Sequence, residues 1–212
     1  MSHIFDFFLD AYRNKETYVI LLEAIVFVTG IASVWFAKQE NILVYPTGLI
    51  ATIISVYLLL KDDLYGDMMM NFYFSIMSIY GWWNWARKKN NEKVVKISRT
   101  NTKEKIIGFG LFLLTMAITY LVYKASGITI ENSNYIDIFT SGLFFTGMWY
   151  MAKKKLENWT LWIIADIITV PLYAYRGWGM LSLQYFIFTI LAIQAYVLWK
   201  KSLGKSPQTL LK

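Results

Sequence analysis

Asn158-Trp-Thr-Leu-Trp162-Ile-Ile-Ala-Asp166-Ile-Ile-Thr-Val-Pro171-Leu-Tyr173-Ala-Tyr175 carries one charged side chain in eighteen residues. As a helix rising 1.5 Å per residue it covers about 27 Å, close to the roughly 30 Å hydrocarbon core of a bilayer. Asp166 lies in its middle, where an exposed carboxylate facing lipid is costly. Trp159, Trp162, Asp166, Thr169 and Tyr173 fall at i, i+3, i+7, i+10 and i+14, the spacing that keeps side chains on one helix face. The segment therefore reads as a membrane span with an aromatic–acid–hydroxyl stripe turned into a bundle.

Six other stretches have comparable length and apolarity, so the chain reads as an all-α integral membrane protein with seven spans. They lie at Tyr18–Ala37, Ile42–Leu60, Gly66–Ala86, Ile106–Tyr123, Tyr135–Ala152, Trp159–Tyr175 and Gly179–Trp199. Composition agrees: 57% of residues are hydrophobic and 17% charged, against about 45–50% and about 25% in a soluble domain. That much apolar surface excludes a disordered chain. Cysteine is absent and the sole histidine is His3, so Cys-ligated metals and most zinc, haem and His-base chemistry are excluded and no cofactor is expected. Residues 1–17 read as an amphipathic helix on the membrane surface, and 201–212 as a polar cytoplasmic tail.

Basic residues set the orientation. With the N-terminus outside, 16 of the 21 Lys and Arg residues fall in inside loops, and Arg13, Lys15, Lys61, Lys124 and Arg176 remain outside. This predicts a cytoplasmic C-terminus. The net charge of +7 is then a face for anionic lipid and calls for no nucleic acid.

The chain also repeats. Asn41-Ile-Leu-Val-Tyr45-Pro and Asn158-Trp-Thr-Leu-Trp162 each follow a short basic turn and open a span. Tyr80-Gly-Trp-Trp-Asn-Trp85 and Ala195-Tyr-Val-Leu-Trp199 each close one before Lys or Arg. Residues 18–86 and 135–200 thus read as two three-helix units. Residues 87–134, a basic loop and one connector helix, make them parallel in a 3+1+3 arrangement. Pro46 and Pro171, at matching places in the units, are candidate hinges. Two such bundles face to face leave a site near the midplane, as in small-solute transporters.

A buried acid beside indole faces suits a flat organic cation, through Coulomb attraction and cation–π contact. Trp159 at the boundary equally suits an interfacial aromatic belt. Glu23 is a second acid within a span, near the outer boundary. Asn71, Ser75, Ser78, Asp137, Thr140, Ser141, Gln184 and Gln194 either hydrogen-bond a solute or join helices. An enzyme reading lacks an intramembrane His, Cys or Lys to act as nucleophile, base or ligand.

These residues resemble the PnuC vitamin transporters. The likeness runs from Tyr18 to Lys201 and rests on Asn158-Trp159-Thr-Leu-Trp162-Ile-Ile-Ala-Asp166, Pro171-Leu-Tyr173 and Tyr80-Gly81-Trp82-Trp83-Asn84-Trp85. It implies a fold similar to full-length SWEET proteins and a vitamin site built from Trp159, Trp162 and Asp166, with Asn71 and Gln184 as looser transfers; Tyr173, on the same helix face, is a further candidate. It also implies facilitated diffusion across a bacterial inner membrane, coupled to a cytoplasmic kinase that traps the vitamin by phosphorylation. A homo-oligomer is compatible with it. Asp166 stands where the nicotinamide riboside carriers hold Asn. Nicotinamide riboside and thiamine are both flat cations, so the expected substrate is nicotinamide riboside, with thiamine the alternative.

Overall fold

The computed structural model describes residues 13, 15–61, 65–127 and 130–204. Most of the expected surface helix over 1–17 and most of the 201–212 tail lie outside these. Seven helices occur among the described residues, one for each expected span: α1 (Thr17–Lys38), α2 (Val44–Lys61), α3 (Tyr65–Ala86), α4 (Thr102–Ala125), α5 (Asn132–Ala152), α6 (Glu157–Tyr175) and α7 (Gly179–Gly204). α7 continues through the first residues assigned to the tail, because no breaker precedes Gly204.

Every helix turns large apolar side chains outward, among them Val28, Ile53, Ile79, Phe109, Phe139, Ile167 and Ile193. Ser75, Ser78, Thr140, Ser141, Asp166 and Gln184 are buried instead. Apolar outside and polar inside is the distribution that a lipid solvent selects. By length and composition α1, α2, α4 and α7 are apolar enough to cross a membrane. α3, α5 and α6 are more polar because they bring Asn71, Asp137 and Asp166 inward.

Six helices pack as a closed ring in the order α1, α2, α3, α5, α6, α7 and back to α1. α4 stands outside it, packed on α5 and only grazing α3. A capping box starts α4: Asn101 Oδ1 accepts from the Glu104 N–H at 2.9 Å, and Glu104 Oε2 accepts from the Asn101 N–H at 3.0 Å.

The turns after α1 and α5 are built alike. Glu40 and Lys154 both adopt left-handed backbone, with φ of 54° and 53°. The Asn41 N–H reaches back to Phe36 O, and the Lys155 N–H to Tyr150 O, both at 2.9 Å. Their side chains pair with each other, Lys154 Nζ to Glu40 Oε2 at 3.1 Å, across 114 residues of sequence. Trp85 and Trp199 stand the same number of residues apart. The Trp85 indole donates to Met151 O (3.3 Å) and the Trp199 indole to Lys38 O (3.2 Å), so each caps the other unit's turn.

This register corrects two expectations. Superposing the turns matches Tyr45 with Trp159, so the opening motifs read from sequence were three residues out of step. Three residues are nearly one helical turn, so the slip leaves the same face in view. Pro46 and Pro171 do not match: Pro46 lies in the first turn of α2, where proline is tolerated, and Pro171 near the far end of α6. Between α3 and α4 the structure adds a hairpin, Lys88–Lys89 against Glu92–Lys93. Its turn residues Asn90 and Asn91 both have positive φ, the type I′ geometry that asparagine accepts.

The Lys154 side chain is 1% exposed and that of Glu40 34%. Burial pushes the Lys154 ammonium below the usual lysine range, and Glu40 opposes that shift. Breaking the pair from the Glu40 side strands a buried cation, whereas removing Lys154 leaves an acid that water can reach. Glu40→Gln is expected to cost about 2 kcal/mol and Lys154→Met under about 1 kcal/mol. Apparent unfolding temperatures of the two purified variants check this order.

Candidate functional site

The interior-facing stripe of α6 is present. Trp159, Asp166 and Thr169 are buried and Trp162 and Tyr173 half-buried, while Thr160, Ile164, Ile167 and Pro171 face outward. The Thr169 hydroxyl bonds back to Ala165 O at 2.8 Å, so it is occupied within its own helix.

At the basic end the ring is plugged. Tyr45 meets Trp85 edge-on (centroids 5.1 Å, 86°), and Trp159 meets Trp199 likewise (5.4 Å, 88°). Trp85 and Trp199 lie 6.2 Å apart and join the two pairs. Leu156, Met151 and Ala37 fill the remaining space. Trp159 is fully buried here, so the structure does not place it in an interfacial belt. Gly81 makes room for Tyr45, since a Cβ there would overlap the ring.

Above the plug sits Trp162, edge-on to Trp159 at 5.5 Å. The indole nitrogens of Trp159 and Trp162 are both buried without a hydrogen-bond partner. A Cβ at Gly147 of α5 would overlap the Trp162 nitrogen, so glycine at 147 sets how far this indole recedes. One turn on, Asp166 is 3% exposed and, among the described residues, makes no hydrogen bond or ion pair. The hydroxyl of Tyr185 on α7 is close enough to feel its charge. Tyr185 packs against Tyr173 (5.2 Å), Phe144 (5.7 Å) and Phe188 (5.6 Å). Asp166 stands on the helix face that carries Trp162 one turn before it and Tyr173 two turns after it.

Gln184 is buried on α7, its amide nitrogen 2.9 Å from where a Cβ on Gly30 would stand. Asn71 lies toward the opposite end, with its amide donating to Asp67 O at 3.0 Å within α3. Trp159, Trp162, Asp166, Tyr173 and Gln184 thus line one interior region with Tyr185, and Asn71 is occupied by its own helix. Sequence reasoning missed Tyr185, Phe144, Phe188 and the plug partners Tyr45 and Trp199. The spacing of Tyr185, Phe144 and Phe188 does not set them apart from the aromatics that face lipid.

Glu23 and Asp137, nearer the span ends, have ion-pair partners, whereas Asp67 makes no side-chain hydrogen bond or ion pair among the described residues. Glu23 pairs with Lys15. At the end opposite the plug Asp137 takes Arg176 at 2.6 Å and the Tyr123 hydroxyl at 3.1 Å, and Asp67 feels both Asp137 and Arg176. No group of His, Cys, Asp and Glu suited to a metal occurs among the described residues.

Residues 20–201 match the family described as nicotinamide mononucleotide transporter. The chain belongs to this family. It is 25% identical over 204 residues to the nicotinamide riboside transporter PnuC of Escherichia coli (strain K12), covering 85% of each chain. It is 24% identical over 194 residues to the PnuC of Neisseria mucosa, covering 85% of this chain and 72% of the relative. The crystal structure of a vitamin B3 transporter PnuC superposes with a TM-score of 0.68 at 21% identity, over 96% of this chain and 87% of that one. The fold is therefore that of a PnuC-family transporter.

Gly147→Ala tests the seat of Trp162. The added methyl is expected to push the indole into the site and to weaken substrate binding about tenfold, or about 1.4 kcal/mol. Titration calorimetry on the purified variant reads the change.

Proposed function

We propose that the chain carries a flat cationic vitamin across the bacterial inner membrane, nicotinamide riboside foremost. The observation that carries this is Asp166, an acid 3% exposed and without a hydrogen bond or ion pair among the described residues, on the same helix face as Trp162 and Tyr173. A buried carboxylate without a partner is costly, and a cationic ring between aromatic faces would supply its counter-charge. The names of the relatives support the vitamin B3 class. Thiamine is the second reading. An acid at position 166 suits either cation.

In this reading transport is facilitated diffusion, and a cytoplasmic kinase traps the product by phosphorylating it. Residues 18–86 and 135–200 act as parallel units that rock about the site, as in SWEET-type 3+1+3 proteins. Their matched turns and reciprocal indole caps support this. The N-terminus is outside and the plugged basic end cytoplasmic, so the plug is the inner gate. The substrate rests on Trp162 and Asp166, with Trp159 as the floor and Tyr173 and Gln184 lining the wall.

Uptake into liposomes holding the purified protein, with labelled nicotinamide riboside or thiamine and with or without a pH gradient, tests the proposal. Asp166→Asn is expected to retain the fold and to change the ranking of the two vitamins. An unchanged ranking would remove the carboxylate from the site. Trp162→Ala is expected to weaken binding by about 1–2 kcal/mol if the indole stacks on the ring. A ligand-dependent rise in unfolding temperature that the variant loses would register it.

A further inference from the structure

Beside the plug, and separate from the central site, residues 87–101 fold over the turn between α5 and α6. Ser98 holds them there: its N–H donates to Lys154 O at 3.1 Å, and its carbonyl accepts from the Leu156 N–H at 2.9 Å. Between the strap, this turn and the end of α3 is an open recess of about 320 Å³. The end of α3 contributes Tyr80, Asn84 and Arg87, the α5–α6 turn Lys153 and Lys155, and the strap Lys96 and Ser98. Glu104, at the start of α4, is the only acid in the wall.

That acid is already occupied. It accepts from Lys155 at 3.0 Å and from the Asn101 N–H at 3.0 Å. Lys96 pairs with Glu92 at 2.9 Å. Arg87 and Lys153 have no ion-pair partner among the described residues. The Arg87 guanidinium donates to Asn84 Oδ1 and lies 4.8 Å over the Trp83 ring, and Lys153 Nζ lies 4.1 Å over Trp149. An aromatic face positions a cation but cannot neutralise it. Arg87, Lys153 and Ser98 line the same recess, and a guanidinium fork, an ammonium and a hydroxyl are donors that suit a phosphate group.

We propose that this recess binds a phosphate group, presented by the headgroup of an anionic phospholipid. Its surroundings favour the lipid source. Trp83 and Trp82 on the same stretch of α3 are 58% and 41% exposed, as aromatics at a headgroup boundary are. α4 only grazes α3, so acyl chains can descend along that seam. Basic pockets between helices at a charged membrane face suit such headgroups. The proposal does not depend on which vitamin is carried.

The test uses the full-length protein in phosphatidylcholine nanodiscs and reads its unfolding temperature against added phosphatidylglycerol, further phosphatidylcholine, or inorganic phosphate. Arg87→Gln/Lys153→Gln is compared with Lys103→Gln/Lys105→Gln, which removes the same charge from exposed positions on the same end. Phosphatidylglycerol is expected to stabilise the wild type and the Lys103/Lys105 variant alike. The Arg87/Lys153 variant should need at least about fivefold more lipid for half the effect. Equal responses from both variants, or equal effects of the two lipids, would overturn the site. A full response to inorganic phosphate alone would overturn the lipid as its source. If the double variant does not fold, Arg87→Gln alone carries the same comparison.

Discussion

An acid in the interior of a membrane bundle must be paired, protonated or held ready for a cation, and the architecture around Asp166 follows from that constraint. Three acids nearer the ends are answered by cations, Glu23 by Lys15, Glu40 by Lys154 and Asp137 by Arg176. Asp166 makes no ion pair or hydrogen bond among the described residues and shares its helix face with Trp162 and Tyr173. Those rings supply a surface that a delocalised cation finds favourable and a hydrated metal ion finds poor. The ring of six helices keeps water and lipid away from this carboxylate, and the plug at the basic end closes one route to it.

Much of this was legible in the sequence because lipid imposes simple rules. Long uncharged runs separated by basic clusters gave the seven helices within a few residues. The 3.6-residue spacing of Trp159, Trp162, Asp166, Thr169 and Tyr173 gave the inward face of α6, since a polar residue in a span has few other places to go. The counterpart cluster was hidden for the converse reason. Tyr185, Phe144 and Phe188 are aromatic residues in aromatic-rich helices, and nothing in their spacing separates them from the many that face lipid. Asn71 looked equivalent to Gln184 as a polar residue in a span, yet its amide closes on its own helix.

The relation between the two units was readable in outline and not in register. A three-residue slip keeps a helical face almost unchanged, so motifs alone could not fix the alignment. It took the backbone to do so, through two left-handed residues that are not glycine and two indoles that cap each other's turns. The same register sets Gly48 opposite Trp162 in the correspondence. One unit therefore presents a large ring where the other presents no side chain and the Ser33 hydroxyl stands close by, so the two units differ at this level.

The connector α4 contributes little to the ring, yet its one crossing fixes the parity of the chain. With a single extra helix between the units, α1 and α5 run in the same direction, and the turns bearing Glu40 and Lys154 emerge on the same side. With no crossing, or with two, those turns would stand on opposite faces, separated by a hydrocarbon layer of about 30 Å. The ion pair and the interlocked indoles could not then form, and an otherwise unchanged set of helices would have no shared floor to close.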